Sequence, residues 1–329
     1  MQVVAIQTHG GLEQLKLEEW PDPVPKSGEV VVDVRACGLN YLDVFVLRGM
    51  PGLPVHMPRI QGGDITGTLR QVGPEVSGHW VGRRVLIDPM IEVNGRPGTL
   101  GEHCNGGLCE RIAVSANNLI VLPESIPFEV GAALPIAYGT AHRMLTTRGQ
   151  LRPQELILIL GASGGVGTAC VQLAKVIGAR IIACASTAEK IQKLQDLGSH
   201  YTINTNENDF SKQAWQLSEK RGVDVVVNFT GGDTWVKSLR ALTRHGRLLT
   251  CGATAGFDPQ TDIRFIWTRE LQIIGSDGWT REDLLRLVEG VSVGRINPTI
   301  DRVYPMARVS EAIGLLEKRK VFGKIILTP

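Results

Sequence analysis

The feature that most constrains this chain is a glycine-rich loop between a strand and a helix, in the segment ELILILGASGGVGTACVQLAK. The run ELILIL predicts a buried strand, and the apolar residues after the glycines recur at helical spacing. Ala162, Gly164 and Gly167 have the spacing of a dinucleotide-binding fingerprint, with alanine in the first glycine position. Gly164 would let the backbone approach a pyrophosphate, and Gly167 would let the helix pack close to the strand. Because amides at a helix start bind phosphates, we predict nucleotide binding rather than an ordinary tight turn, through Ser163, Gly164, Gly165, Val166 and Gly167.

Downstream of this loop, apolar strands alternate with amphipathic helices. RIIACA, VDVVVNF and RLLTCG are typical of strands, whereas TAEKIQKLQDLG and TWVKSLRALTRHG are typical of helices. Near-continuous apolar strands separated by such helices indicate a parallel sheet covered on both faces. The sequence therefore predicts a doubly wound Rossmann domain over residues 123–297, which begins with an Ala-rich helix from Phe128 to Leu145.

The chain before residue 123 has a different character. GEVVVDVRACGL, DITGTLRQVG, GRRVLIDPM and CERIAVSANNLIVLP are short strand-like runs punctuated by Gly and Pro. They predict a β-rich, barrel-like or sandwich domain over residues 1–122. The closing GKIILTP is a lone strand, and we expect residues 298–329 to return to this first domain and complete it. A chain of 329 residues is long enough for two cores, so the prediction is a two-domain α/β protein.

The end of the second Rossmann strand distinguishes between the two nicotinamide cofactors. NAD sites place an acidic residue about 20 residues after the glycines, whereas this chain has Ala185, Ser186 and Thr187 in that region. Without a carboxylate to repel it, a 2′-phosphate could bond the two hydroxyls and the ammonium of Lys190. The same residues could instead be only a helix N-cap and an exposed lysine. We predict NADP(H) as the cofactor, bound here through Ser186, Thr187 and Lys190.

Charge and cysteine content narrow the class of protein. The formal net charge is +2 and the basic residues are scattered, so nucleic acid is not an expected partner. No apolar run is long enough to span a membrane, and the amino terminus lacks a secretory signal pattern. The six cysteines are spread through the chain, as expected of free thiols in a reducing cytoplasm. We expect a cytoplasmic protein that acts on a small-molecule substrate without a nucleic-acid or membrane partner.

Several motifs along nearly the whole chain resemble those of the medium-chain dehydrogenase/reductase superfamily. They are GLNYLD, P-x-x-x-G-G-D-x-x-G from Pro58 to Gly67, VGPEVSGHWVGRRV, TAH at Thr140, GASGGVG and the closing FGKIIL. Among its branches the chain is most similar to the quinone oxidoreductase and enoyl reductase group, where GLN-aromatic-x-D is characteristic. The resemblance implies a GroES-like catalytic domain, a Rossmann domain, a cleft between them, and a homodimer or homotetramer.

The resemblance also bears on whether the chain holds a metal. Zinc-dependent members need three protein ligands around an open fourth position. Here Asn40 stands where their first cysteine lies, and their Gly-His-Glu becomes Gly-Gly-Asp, so we predict no catalytic zinc. Cys37 is then most simply a small apolar strand residue. His103, Cys104 and Cys109 could form a cluster, but no fourth ligand accompanies them, and we predict no metal there.

Hydride transfer to a conjugated alkene or a quinone is feasible without zinc, because charge moves onto an oxygen that hydrogen bonds can stabilise. The resemblance places Asn40, Tyr41 and Asp43 near the nicotinamide, and we predict them as the catalytic residues. Tyr41 could donate to the developing oxyanion or give a proton to carbon, and Asn40 could orient the substrate. The alternative is that Tyr41 only fills the wall of the site, while Asp43 caps a short helix and holds the loop through backbone bonds.

The resemblance implies further contacts to the cofactor. Thr140 would meet the carboxamide end, and Lys324 would reach back to the nucleotide. Two loops that follow sheet strands at the ligand-binding edge would contribute Asn228, Thr230, Gly252, Ala253 and Thr254. His142 is expected to be packed or solvated, and Phe265 and Trp267 could either shape a substrate pocket or pack in the core.

Together these features predict a zinc-free, NADPH-dependent reductase acting on a quinone or an activated C=C bond, such as an enone or an enoyl thioester. Two alternatives stay open. One is an alcohol or aldehyde dehydrogenase of the same superfamily, against which the missing zinc ligands weigh. The other is an NADPH-binding protein with weak or no catalysis, because cofactor binding needs only the Rossmann half.

Overall fold

A computed structural model describes residues 1–50, 52 and 54–329 of the chain. Their internal contacts divide them into two units: unit 1 comprises residues 1–137, 284–294 and 298–329, and unit 2 comprises residues 138–283 and 295–297. The predicted division at residues 122 and 298 differs from these units in residues 123–137 and 284–294, and as a domain assignment it stays a prediction. Within the described ranges, no helix is both long and apolar enough to cross a membrane.

The strands are numbered in chain order. They are β1 Gln2–Ile6, β2 Lys16–Glu19, β3 Glu29–Gly38, β4 Arg59–Ile60, β5 Asp64–Val72, β6 Arg84–Ile87, β7 Met90–Val93, β8 Arg96–Thr99, β9 Arg111–Ser115, β10 Leu119–Val121, β11 Leu156–Ile159, β12 Arg180–Ala185, β13 Tyr201–Asn204, β14 Val223–Val227, β15 Leu242–Thr250, β16 Gln272–Gly275, β17 Ile300–Pro305 and β18 Lys324–Thr328.

The helices are numbered in the same way. They are α1 Tyr41–Arg48, α2 Phe128–Gly131, α3 Thr140–His142, α4 Gly165–Ile177, α5 Ala188–Leu197, α6 Phe210–Leu217, α7 Thr234–Ala241, α8 Arg264–Arg269, α9 Arg281–Ser292 and α10 Val309–Glu317.

Unit 1 is built on a mixed sheet in the order β10-β6-β5-β3-β18-β17, with β9 also paired to β3. Alternate residues of β3, namely Val30, Val32 and Val34, enter the hydrophobic core of this unit. The predicted closing strand is confirmed as β18, which pairs antiparallel with β3 so that Ile326 lies opposite Gly38. This pairing brings the first residue of β18, Lys324, to the end of β3, where the GLNYLD motif begins.

Unit 2 contains a six-stranded parallel sheet in the order β13-β12-β11-β14-β15-β16. The predicted parallel sheet is therefore confirmed, and its order is that of the doubly wound Rossmann fold. The four residues of β11 are all buried, because helices cover both faces of such a sheet. The strand order reverses between β11 and β14, and ligands of such sheets bind beside the carboxyl ends of these strands.

Two predicted helices differ in detail. The single helix expected from Phe128 to Leu145 is instead interrupted: α2 ends at Gly131, a turn at Ala132 and Ala133 follows, and the rest includes wide π-type turns at Leu134–Gly139 and Arg143–Arg148. The first of these contains Pro135, which lacks the amide hydrogen that a regular α-helix uses. The helix predicted through TWVKSLRALTRHG ends at Ala241 instead. Its helical periodicity is overridden because buried Leu242 pairs with Val223 of the sheet and starts β15.

Candidate functional site

In unit 1, the motif GLNYLD forms the end of β3 and the first turn of α1. Asn40 precedes the helix in an extended conformation, and its backbone amide donates to Asp43 Oδ2 at 2.8 Å. Asp43 Oδ1 accepts from the Gly62 amide at 3.0 Å, and the Asp43 carbonyl accepts from the Gln61 side chain at 2.6 Å. Asp43 therefore caps α1 and holds the loop after β4, which is the role given above as the alternative to catalysis.

The surroundings of Asp43 also change the pKa of its carboxyl group. Burial is the largest influence and raises the pKa of Asp43 to about 6, although the hydrogen bond from the Asn40 amide and the Lys324 ammonium oppose this shift. Desolvation disfavours the charged form of a carboxyl, so the direction follows from its 4% exposure. Asp43 is therefore a buried acid that changes charge in mildly acidic solution.

Asn40, Asp64 and Lys324 form a buried polar cluster at the same place. The Lys324 ammonium donates to Asn40 Oδ1 at 2.6 Å, to Asp64 Oδ2 at 2.8 Å and to the Leu39 carbonyl at 2.7 Å. Asn40 Nδ2 donates to the same Asp64 oxygen at 2.8 Å, and the second oxygen accepts from the Ile136 amide at 2.7 Å. The Lys324 side chain is 2% exposed and that of Asp64 is 0% exposed, so both charges depend on these partners.

The hydrogen bonds of the cluster occupy the polar groups of two predicted site residues, Lys324 and Asn40. An ammonium has three donors, and all three of Lys324 point to acceptors inside unit 1. The amide of Asn40 is likewise bonded on both its oxygen and its nitrogen. Lys324 and Asn40 thus hold the end of β3 in place, and contacts of Lys324 with a nucleotide or of Asn40 with a substrate stay predictions.

Tyr41 differs from its neighbours. It is half-buried at the first position of α1 and packs edge-on against Phe45, with ring centroids 5.1 Å apart. Among the residues that the structure describes, its hydroxyl has no hydrogen-bond partner. Of the three predicted catalytic residues, Tyr41 is therefore the one with a polar group still available to a ligand.

The cysteines and the histidine that the sequence analysis considered as metal ligands make other contacts. Cys37 is 2% exposed in the core of unit 1, as the sequence analysis predicted, and burial is the main cause of its raised pKa. His103 Nδ1 accepts from the Thr99 amide at 3.1 Å, and Cys109 Sγ donates to the Arg111 carbonyl at 3.1 Å. Across residues 1–50, 52 and 54–329, no group of three or more His, Cys, Asp or Glu side chains could hold a metal ion.

In unit 2, the glycine-rich loop joins β11 to α4 at the point where the strand order reverses. A methyl group on Gly167 would lie 2.3 Å from the Gly161 carbonyl oxygen and 2.6 Å from Ala162 Cα. The start of α4 therefore packs against the loop that follows β11, with no room for a side chain at Gly167. Gly164 precedes the helix, and a methyl there would meet only the Gly161 oxygen, at 3.7 Å. The helix start is thus open to a phosphate group, which fits the predicted pyrophosphate contact.

The residues predicted to choose between cofactors follow β12. Ser186 and Thr187 are exposed, and Lys190 is half-buried on the first turn of α5. Thr187 Oγ1 accepts from the Lys190 amide at 3.3 Å, so the N-cap role of Thr187 is confirmed. This bond uses the hydroxyl only as an acceptor, and its hydrogen is left to donate to a phosphate.

Two further loops continue from β14 and β15. Asn228 is fully buried and shapes the first, because its Oδ1 accepts from the amides of Thr230 and Gly231 at 2.9 and 3.0 Å. The Thr254 amide donates to the Phe229 carbonyl at 3.1 Å, so the two loops are tied together. Asn228 acts here through the backbone, and direct cofactor contacts of Thr230, Gly252, Ala253 and Thr254 stay predictions.

The remaining candidates of unit 2 lie elsewhere. Thr140 is half-buried at the start of α3, and His142, two residues later, places Nδ1 2.8 Å from Asp283 Oδ1. Phe265 packs against the core of unit 2, whereas Trp267 is 66% exposed and does not pack in it. The sequence analysis gave Asp64 no role in the site, because an acid at the first residue of a strand is usually exposed and no local pattern marked this one as buried.

Comparisons with known proteins match both halves of the chain. Residues 26–124 match the family model of the alcohol dehydrogenase GroES-like domain, and residues 165–292 match that of zinc-binding dehydrogenases. The first match confirms the predicted GroES-like domain, and with the parallel sheet it confirms the predicted two-domain α/β fold.

The relatives cover essentially the whole chain. Human quinone oxidoreductase is 28% identical over 99% of this chain and 97% of its own length. Acryloyl-coenzyme A reductase of Sulfurisphaera tokodaii is 27% identical over 99% of both. A solved structure described as an NAD-dependent alcohol dehydrogenase is 32% identical, with a TM-score of 0.94 over the full length of both chains.

These relatives are oxidoreductases of a nicotinamide-dinucleotide-dependent family, and the present chain shares their complete fold. It is accordingly an oxidoreductase, and its sequence motifs, two-domain architecture and relatives agree on its ancestry. The chain belongs to the medium-chain dehydrogenase/reductase superfamily, within its quinone oxidoreductase-like branch.

Proposed function

We propose that this protein is a metal-independent, NADPH-dependent reductase that transfers hydride to a quinone or to an activated C=C bond. The observation that carries the proposal is the buried polar cluster of Asn40, Asp64 and Lys324. Zinc-dependent members of the superfamily have a zinc ligand at the position of Asn40. In this chain the position holds a neutral amide that is hydrogen-bonded to the Lys324 ammonium. The names of two relatives, a quinone oxidoreductase and an acryloyl-coenzyme A reductase, supply the substrate class.

The chemistry of the cluster does not fit zinc. Zinc sites in proteins are built from thiolate, imidazole and carboxylate donors, and here a carboxylate is the one such group in the cluster. Asp64 is already paired with the Lys324 ammonium at 2.8 Å, and that positive charge would repel a second cation. The match to the zinc-binding dehydrogenase model therefore reflects shared ancestry of residues 165–292, and we derive no step through a metal.

The residues of unit 2 fit a dinucleotide. The open helix start at Gly164 would hold the pyrophosphate, and the loops after β14 and β15 would line the nicotinamide end beside Thr140. When bound, the nicotinamide supplies the hydride. The exposed hydroxyls of Ser186 and Thr187, with Lys190 nearby and no acid at the end of β12, support a preference for the 2′-phosphate.

Tyr41 is our candidate for assisting the chemistry. Hydride addition to the β-carbon of a conjugated carbonyl moves negative charge onto oxygen, which a hydroxyl donor stabilises. The Tyr41 hydroxyl is free to donate there, whereas Asn40 and Asp43 act by holding the backbone on which Tyr41 sits. In Tyr41→Phe we expect kcat to fall about tenfold or more with KM little changed. A fall of less than about threefold would remove Tyr41 from the mechanism.

The direct test of the function is oxidation of NADPH and of NADH with a quinone, an enone, an acryloyl or crotonyl thioester, and an aldehyde. We expect turnover of the quinone or of a conjugated substrate, with the lower dissociation constant for NADPH. Tighter binding of NADH would refute the cofactor assignment. If none of the substrates is turned over, the result would support the alternative of a protein that binds NADPH with weak or no catalysis.

A second candidate is an alcohol or aldehyde dehydrogenase. It is favoured by the solved structure described as an NAD-dependent alcohol dehydrogenase, at 32% identity over its full length. Turnover of the aldehyde alone, with NADH, would establish this candidate and exclude the first.

We also propose that the protein forms a homodimer or homotetramer. Strand β16 lies at the edge of the parallel sheet, with Ile273 41% exposed, and such an edge can pair with a second copy. Light scattering on the purified chain tests this, and a monomer at micromolar concentration would refute it.

A further inference from the structure

Unit 2 contains a concave site at the amino ends of the parallel strands, whereas the glycine-rich loop follows the carboxyl end of β11. It is a cavity of about 460 Å³ beside the amino ends of β11, β14, β15 and β16. Its volume lies within the range of small-molecule pockets, roughly 300–1,000 Å³. The dinucleotide of a Rossmann fold binds beside the carboxyl ends of the strands, so this cavity is not part of the cofactor site.

The lining of the cavity is strongly basic. Four arginines contribute to it, namely Arg148, Arg152, Arg244 and Arg247. Charged groups of this kind on one wall would repel each other unless carboxylates or a bound anion compensated them. The contacts of each guanidinium therefore decide whether the cavity is already neutral.

Two of the four arginines have carboxylate partners. Arg247 Nη2 donates to Glu155 Oε2 at 2.5 Å, and Arg244 Nη2 donates to Glu270 Oε1 at 2.6 Å. Two acids line the cavity, Glu155 and Asp224. Both terminal nitrogens of Arg221, which lies outside the cavity, donate to Asp224 at 2.6 and 2.8 Å. These acids are therefore already neutralised and do not offset the other arginines.

Arg148 and Arg152 remain. Arg148 donates through Nε to the Gly275 carbonyl at 3.0 Å, which leaves its two terminal nitrogens to face a ligand. Among the described residues, neither guanidinium contacts a carboxylate. Both residues are exposed and lie on the cavity wall, so two positive charges face solvent there without a carboxylate partner.

Arg247, which also lines the cavity, has one donor atom buried in the protein. Its side chain is 12% exposed, and its Nε is buried without a hydrogen-bond acceptor. Because this Nε has no exposed surface, a ligand in the cavity does not reach it, and the charge available to a ligand comes from Arg148 and Arg152. The backbone of Gln150, another lining residue, has a φ of 47°, a conformation that side-chain-bearing residues rarely adopt.

We propose that this cavity binds a small anion that carries a phosphate group, at a site separate from the cofactor. A phosphate dianion matches the two uncompensated charges, and guanidinium forks bind phosphate oxygens in pairs. Arg148 and Arg152 bind its charge through their guanidinium groups. The proposal is independent of the reaction that the protein catalyses.

The test is calorimetric titration of the full chain, saturated with its preferred dinucleotide so that the helix start at Gly164 is occupied. The probes are inorganic pyrophosphate, glycerol phosphate and citrate, at constant ionic strength. We expect pyrophosphate or glycerol phosphate to bind once per chain with a dissociation constant below about 1 mM. Whichever of the two binds more tightly distinguishes an inorganic diphosphate ligand from an organic phosphate monoester.

Variants locate the binding. The double substitution Arg148→Gln/Arg152→Gln should weaken the probe about tenfold or more, because each lost charge-assisted contact contributes to affinity. The control Arg180→Gln/Arg264→Gln removes the same charge from exposed positions of unit 2 outside the cavity, and affinity should change less than about twofold. The dissociation constant of the dinucleotide should be the same in all three proteins.

Three outcomes would overturn the proposal. They are no phosphate binding to the dinucleotide-saturated protein, equal weakening in both double variants, and citrate binding as tightly as the phosphates. Unchanged melting temperatures in the Arg148→Gln/Arg152→Gln protein exclude misfolding as the cause of weaker binding, since neither guanidinium has a carboxylate partner to lose.

Discussion

The buried polar cluster of unit 1 and the glycine-rich loop of unit 2 differ in what their residues contribute, which is side-chain hydrogen bonds in the first and backbone shape in the second. The cluster holds charged and polar side chains in a dry interior, where each group depends on the others for its hydrogen bonds. The loop contributes almost no side chain, and its backbone lies close against the start of α4. Damage to the cluster should therefore act mainly through stability, whereas damage to the loop can be confined to binding.

The largest expected effect comes from breaking the cluster. Asp64→Asn leaves the Lys324 ammonium buried without its carboxylate, and we expect a loss of about 3–5 kcal/mol in the free energy of unfolding. Urea denaturation measures it. In the double variant Asp64→Leu/Lys324→Met no charge is stranded, so the loss should be smaller than in Asp64→Asn.

The exposed pair of Lys193 and Glu189 is the matched control for this prediction. Its atoms are 2.7 Å apart, but the side chains are 43% and 77% exposed, so Glu189→Gln should cost less than about 1 kcal/mol. Equal losses in Asp64→Asn and Glu189→Gln would mean that the cluster is not a dependent network.

The next prediction concerns Asp43, beside the cluster. Its folded pKa of about 6 lies above the value of about 3.9 in an unfolded chain, so the folded protein binds the extra proton between these pH values. The stabilisation by this proton is complete below about pH 4 and is lost as the pH rises through 6, with a total of about 3 kcal/mol.

Unfolding free energies measured across this range in wild type and in Asp43→Asn test the effect. Other carboxyls oppose it, since hydrogen bonds and the Lys237 ammonium lower the pKa of Asp209 to about 2. The informative quantity is therefore the difference between the two proteins, which should shrink as the pH rises from 4 to 6. A constant difference would contradict a raised pKa for Asp43.

The third prediction separates the two functions of the loop. In Gly167→Ala the new methyl meets backbone atoms at 2.3 and 2.6 Å, so α4 must shift and unfolding should become easier by about 1–3 kcal/mol. In Gly164→Ala the methyl meets nothing closer than 3.7 Å, so stability should change by less than about 1 kcal/mol.

Both alanines should weaken dinucleotide binding, which fluorescence titration measures. For Gly164→Ala the cause is direct, because its methyl occupies the space through which a phosphate approaches the helix start. If Gly164→Ala binds the dinucleotide as well as wild type does, the phosphates do not approach at this residue.

This contrast also explains how much the sequence could predict. The loop was predictable because Ala162, Gly164 and Gly167 are close in sequence and their roles are local to one turn. Asn40 and Lys324 are 284 positions apart, and their contact depends on how β18 pairs with β3. The sequence predicts the closing strand, but no local pattern fixes its register, so the contacts of Lys324 with Asn40 and Asp64 could not be predicted.

The alternation of strands and helices likewise gave the parallel sheet, because period and composition are local properties. The start of β15 was missed because Leu242 fits a helical pattern, and its pairing with Val223 is tertiary. The basic cavity was beyond sequence reasoning for the same reason. Its arginines come from the segment before β11 and from the start of β15, and nothing in either segment identifies the other.

The smallest expected effects distinguish Ser186 from Thr187. Thr187 caps α5, so Thr187→Ala should lower the free energy of unfolding by about 1 kcal/mol as well as weaken NADPH binding. The Ser186 hydroxyl is exposed and bonds to no described residue, so Ser186→Ala should change stability by less than about 0.5 kcal/mol. Each should raise the dissociation constant of NADPH by roughly 3- to 10-fold and leave that of NADH unchanged, because only NADPH has the 2′-phosphate. If both cofactors weakened equally, these hydroxyls would serve the fold of the loop, and the preference for NADPH would need another origin.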